Sequence, residues 1–114
     1  MKRTRIWMGT GNDHKYQEAK EVLAEYGIEL ERLSIDRVEI PADEPEEIAE
    51  YSLQVLDSDK PMLIEDAGLY IDKYGGFPGP YSSYALDTLG NAGILKLMER
   101  EGDRGASYLS AVAY

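Results

Sequence analysis

The tightest constraint on the fold of this chain is a repeated local pattern, in which short apolar runs alternate with stretches of helical periodicity. Ile6-Trp7-Met8 is stopped abruptly by Gly9-Thr10-Gly11-Asn12, as a buried strand entering a turn would be. In the helix expected next, Ala19, Val22, Leu23 and Tyr26 share one face, and Lys15, Glu18, Lys20, Glu21 and Glu25 surround it. Gly27 stands where a glycine ends a helix, and Ile28, Leu30 and Leu33–Ile35 suggest a second strand. Asp43 and Glu46 fit a capping box with Pro45 in the first turn of a helix reaching about Leu56 and burying Ile48, Ser52, Val55 and Leu56. After the turn Asp57-Ser58-Asp59-Lys60-Pro61, Met62-Leu63-Ile64 is the clearest buried strand and runs into Glu65-Asp66. Leu69 and Ile71 suggest an extended segment, Tyr74 to Pro80 a rigid loop, Leu86 to about Arg100 a third helix, and Ala106 to Tyr114 a strand. Strand, helix, strand, helix, strand in that order implies an α/β domain, a sheet covered by helices.

At 114 residues the chain has the length of a single domain, 1–114, with no repeat or interdomain linker. Apolar residues make up 43% and charged residues 30%, which places it among globular chains rather than disordered ones. The net charge of −10 argues against a broad nucleic-acid-binding face, which clusters Lys and Arg. A small polyanion can still bind where a local cation or a metal offsets the acids. With no cysteine and one histidine, His14, disulfides, thiolate chemistry and structural zinc fall away. No apolar run approaches the roughly 20 residues that span a bilayer, and the basic start lacks a signal-peptide core, so the expected location is cytoplasmic.

Four segments can carry chemistry. In Thr10-Gly11-Asn12-Asp13-His14-Lys15, glycines flank Thr10 and a helix start offers unpaired N–H groups, with Lys15 adding a cation. That makes a polyphosphate cradle or simply a helix cap; neither the P-loop nor the dinucleotide glycine spacing is present. Glu65-Asp66 ends an apolar strand, at the sheet edge where ligands tend to sit, and supplies the hard oxygen ligands Mg²⁺ prefers. Adjacent residues on a strand face opposite sides, so one of the two enters a site, and two solubilising acids at a strand end remain the plain alternative. Glu39, Asp43, Glu44 and Glu46 form an acidic run that reads, on local pattern, as a solvated helix start. Gly75-Gly76-Phe77-Pro78-Gly79-Pro80-Tyr81-Ser82-Ser83-Tyr84 is a constrained loop whose aromatics can stack on a base or pack in the core.

Taken in order, these segments resemble the inosine-triphosphate pyrophosphatase family. The matching text is Thr10-Gly11-Asn12-x-x-Lys15-x-x-Glu18, Glu44-Pro45-x-Glu47-Ile48, Ile64-Glu65-Asp66-Ala67-Gly68-Leu69-x-Ile71 and Gly76-Phe77-Pro78-Gly79-Pro80-Tyr81-Ser82. The resemblance covers nearly the whole chain and implies a long mixed sheet flanked by helices, with the nucleotide in a cleft between two lobes. It implies Mg²⁺-dependent hydrolysis of ITP, dITP and XTP to the monophosphate and pyrophosphate, usually by a homodimer.

By position, the resemblance implies that Thr10, Gly11, Asn12 and Lys15 hold the triphosphate and that Phe77, Tyr81 and Ser82 belong to the substrate-binding loop. Glu44 would bind Mg²⁺, and Asp66 would bind metal or activate water with Glu65 beside it. Ser83 and Gln54 stand where some relatives carry lysine. The family continues past the equivalent of Tyr114 into an aromatic-rich segment and a Ser-His-Arg segment that contact the base and phosphates, so the second lobe and the base-recognising half are expected to be incomplete here. An inactive nucleotide-binding or dimerising fragment, or a Maf-like nucleotide pyrophosphatase, is the alternative.

Overall fold

The computed structural model describes residues 4–34, 44–56 and 59–114. Strand β1 (Thr4–Gly9) leads into helix α1 (Asp13–Ala24), strand β2 (Ile28–Leu33), helix α2 (Pro45–Leu56) and the long strand β3 (Met62–Ile71). Two 3₁₀ turns, Asp72–Tyr74 and Gly79–Tyr81, precede helix α3 (Ser82–Thr88), helix α4 (Gly90–Leu97) and strand β4 (Ala106–Ala113). The sheet order is β2-β1-β3-β4. β1 is parallel to β2 and to the start of β3, whereas β3 and β4 are antiparallel. This is the mixed, elongated α/β sheet expected, in a molecule of 57 × 28 × 20 Å.

The connectivity decides where a site can form. From β1 the chain steps through α1 to β2 on one side, then returns through α2, across β1, to β3 on the other. Crossovers between parallel strands are right-handed almost without exception, so steps in opposite directions put α1 and α2 on opposite faces. On the α1 face, Ile6, Met8, Tyr16 and Leu30 form a buried cluster, joined by Ala19, Leu23, Ile28 and Leu63. The α2 face is left for Ile48, Ala49 and Ser52, all buried, and for Met62 and Ile64 on alternate positions of β3.

β3 is the element shared by both halves. Trp7 and Met8 pair with Met62 and Leu63, and from Ile64 onward the partner is β4, from Ile64↔Ala113 to Ile71↔Ala106. Past β1, the other edge of β3 is taken up by the glycine-rich loop. Ile71 N–H donates to Phe77 O at 3.1 Å, and Leu69 N–H donates to Ser82 Oγ at 2.8 Å. Ser82 Oγ in turn donates to Gly79 O at 2.7 Å. Gly68 permits this approach, because a Cβ there would lie 2.7 Å from Gly79 O, which is backbone. Gly68→Ala should therefore lower unfolding stability by about 1–3 kcal/mol, read as a lower denaturant midpoint at unchanged slope. A midpoint equal to wild type would show that the loop does not depend on this contact.

The structure corrects several sequence expectations. Val22, within α1, and Tyr26, past its end at Ala24, are exposed at 55% and 75%; Tyr16 is buried instead, its hydroxyl donating to Leu30 O at 2.9 Å. Val55 on α2 is also exposed and Leu56 only half-buried. The expected third helix is two, α3 beginning earlier at Ser82 and α4 starting at Gly90, whose φ of +67° an uninterrupted helix cannot hold. Leu69 and Ile71 belong to the same strand as Met62-Leu63-Ile64. Ile35, Glu39, the Asp43 half of the capping box and the turn residues Asp57 and Ser58 lie outside the described residues.

Candidate active site

In an open parallel sheet, ligands bind beyond the carboxyl ends of the strands where the connections part to opposite sides. Here that point lies between β1 and β3, and the Met8↔Leu63 register brings Glu65 level with Thr10. Because α2 runs back along strands it connects, its N-terminus, with Glu44, also lies at this sheet edge.

The loop after β1 is held by its own side chains. Asn12 N–H donates to Thr10 Oγ1 at 3.1 Å, and Asn12 Oδ1 accepts from Lys15 N–H at 3.0 Å, making Asn12 the N-cap of α1. Asn12 thus caps the helix, as the plainer reading of this segment has it, and the capped start places Lys15 in the first turn of α1. Arg32, at the end of β2, adds a brace that the sequence did not announce. Its Nε donates to Thr10 O at 3.2 Å while its Nη1 pairs with Asp13. A basic residue at the carboxyl end of a strand beside β1 was the signal available.

Lys15 reaches from α1 to β3, where its Nζ lies 2.9 Å from Glu65 Oε2. The other oxygen, Glu65 Oε1, accepts from Ser110 Oγ on β4 at 3.0 Å. Glu65 thus faces the α1 side of the sheet, and strand alternation turns the half-buried Asp66 to the α2 side. Glu44 is exposed at the turn just before α2, its carbonyl accepting from Ile48 N–H at 3.4 Å.

Beside the Lys15–Glu65 pair opens a cleft of about 510 Å³. Asn12, Lys15, Ser82, Ser83 and Asn91 are its polar lining, and Leu69, Leu86, Ile94 and Tyr108 are among its apolar lining residues. A cation together with apolar side chains and a tyrosine suits a ligand that combines an anionic group with a flat apolar body. Gly11, Phe77 and Tyr81 are not among the cleft's described lining residues; Phe77 and Tyr81 are 43% and 57% exposed.

Among the described residues no group of three or more His, Cys, Asp or Glu is placed to hold a metal alone. Mg²⁺ does not need one: it commonly binds one or two carboxylates and completes its shell with water and substrate phosphate. Glu44 with one acid of β3 would fit that requirement; Glu65 and Asp66 face opposite sides of the strand, and Glu65 is already in contact with the Lys15 ammonium.

A family model described as the Ham1 family matches residues 6–114. The chain belongs to the Ham1 family. It is 48% identical over 112 residues to a dITP/XTP pyrophosphatase of Methanopyrus kandleri and 41% identical over 112 residues to one of Ignicoccus hospitalis, each alignment covering 96% of this chain. It spans about 60% of the length of both relatives. Among solved structures, a HAM1 protein from Coxiella burnetii superposes with a TM-score of 0.77 at 24% identity, over 96% of this chain and 62% of that one, which establishes the shared fold. Among the described residues, no helix is long and apolar enough to cross a membrane.

Proposed function

We propose that the protein is a Mg²⁺-dependent nucleoside-triphosphate diphosphohydrolase acting on aberrant purine nucleotides such as ITP, dITP and XTP. The observation that carries this reading is the placement of Lys15, held by a capped helix start at the switch point of the sheet, where it lines the cleft and pairs with Glu65 beside it. The names borne by relatives at 48% and 41% identity support the same substrate class.

In this reading the α-phosphorus lies near the sheet edge and the base extends along the apolar wall of the cleft. The N–H groups of the α1 start and the Asn12 side chain hold the polyphosphate, the buried Thr10 bracing Asn12 N–H, and Lys15 offsets its charge. Glu44 and one of Glu65 and Asp66, which face opposite sides of β3, would hold Mg²⁺, which would supply charge neutralisation at the phosphates. Asp66 accepts a proton from a water that attacks the α-phosphorus. The bond from that phosphorus to the α,β-bridging oxygen breaks, and pyrophosphate leaves with the bridging oxygen. Phe77, Tyr81 and Ser82 lie on or beside the loop that edges the cleft. Ser82 holds that loop against Leu69, and the two aromatics are available to a base that extends past the cleft wall.

A homodimer, usual in the family to which the chain belongs, is part of the same reading. The cysteine-free composition suits the reducing cytoplasm.

The test is release of pyrophosphate from ITP in the presence of Mg²⁺, compared with the same assay on Lys15→Ala. Loss of a charged phosphate contact predicts about a hundredfold fall in kcat/KM. Unchanged turnover in Lys15→Ala would remove the cleft from the reaction.

A further inference from the structure

The Lys15–Glu65 contact puts the one cation that lines the cleft among the described residues in an ion pair with a carboxylate. With side-chain exposures of 33% and 17%, the pair is better shielded from water than the peripheral pairs Arg5–Glu29 and His14–Glu18. Ser110 holds the second oxygen, so the carboxylate is fixed from β4 as well as from α1. An incoming polyphosphate competes with Glu65 for the Lys15 ammonium and brings its oxygens close to a carboxylate of like charge. A divalent cation held against Glu65 would offset that repulsion and leave Lys15 to the phosphate.

From this geometry we infer that Lys15–Glu65 is an electrostatic latch, set by Ser110 as a positioning residue, that makes polyphosphate binding depend on a divalent cation. The inference rests on the site proposed above, and it concerns binding alone, not the reaction. Coupling of this kind is reciprocal: the cation strengthens polyphosphate binding by the factor by which polyphosphate strengthens the cation's. Most of that factor should reside in the charge of Glu65. Ser110 contributes less, because a neutral hydroxyl donor only stabilises the closed geometry.

Titration calorimetry with inorganic tripolyphosphate, in chelator and in Mg²⁺, tests this without a nucleobase or turnover. Glu65→Gln should bind metal-free tripolyphosphate about tenfold more tightly than wild type, and its gain on adding Mg²⁺ should shrink. Ser110→Ala should shift metal-free binding the same way by about twofold to threefold, while Ser110→Thr, which keeps the hydroxyl, should match wild type. Metal-free affinity in Glu65→Gln equal to or weaker than wild type would overturn the latch and assign Glu65 to holding Lys15 ready for phosphate. An identical shift in Ser110→Ala and Ser110→Thr would overturn the positioning role of the hydroxyl. Should ITP go unhydrolysed while Glu65→Gln tightens tripolyphosphate as described, the proposed reaction falls and the latch stands.

Discussion

Asp66→Asn should lower ITP turnover by about a thousandfold while changing nucleotide affinity by only a few-fold, as expected for loss of a general base. The substitution preserves shape and leaves β3 paired with β4 through Asp66↔Ala111, so the sheet has no reason to rearrange. It removes both the acceptor for the water proton and one negative charge at the sheet edge. The second loss can strengthen phosphate binding slightly, so kcat and KM should move apart and kcat should carry most of the effect. Steady-state kinetics with ITP and Mg²⁺ separates the two parameters. A kcat within tenfold of wild type would move the base elsewhere, and Glu65, on the opposite face of the same strand, would be the next residue to examine.

Ile64→Ala should cost about 3–4 kcal/mol of unfolding free energy, the upper part of the range for emptying a buried aliphatic site. Ile64 has no solvent exposure and sits where β3 passes from β1 to β4. Its side chain lies between Met62 and Asp66 on the α2 face, next to the point that sets the register of Glu65 against Thr10. A void there weakens packing against α2 and loosens the junction on which the site geometry depends. Denaturant unfolding should give a clearly lower midpoint, and activity should fall at temperatures where the fold persists. A cost below about 1 kcal/mol would mean that the junction is held by β-ladder hydrogen bonds rather than by this core contact.

The parts of the fold and site that were legible in the sequence are those set by local chemistry. Ile6 to Lys15 reads as strand, turn and capped helix because each step depends on neighbours within four residues, and Asn12 caps as its side chain allows. The acids after Met62-Leu63-Ile64 were recognisable at a strand end for the same reason. What lay hidden depends on distant partners. Tyr16 is buried because its hydroxyl finds Leu30 O on β2, fourteen residues away, while Val22 stays in water. Gly68 reads as an interruption, yet eight consecutive residue pairs with β4 carry the strand through it to Ile71. Alternation shows that Glu65 and Asp66 face opposite sides, but only the Lys15 contact reveals which one meets α1. Arg32 and Ser110 escaped notice because each acts on a segment remote in sequence.

The position of bond cleavage tests the central claim most directly. In ¹⁸O-labelled water with ITP and Mg²⁺, attack at the α-phosphorus puts the label in IMP and leaves pyrophosphate unlabelled. Mass spectrometry of the two products reads the outcome. Labelled IMP with unlabelled pyrophosphate is the predicted result; inosine diphosphate with labelled phosphate, or no turnover at all, would contradict it.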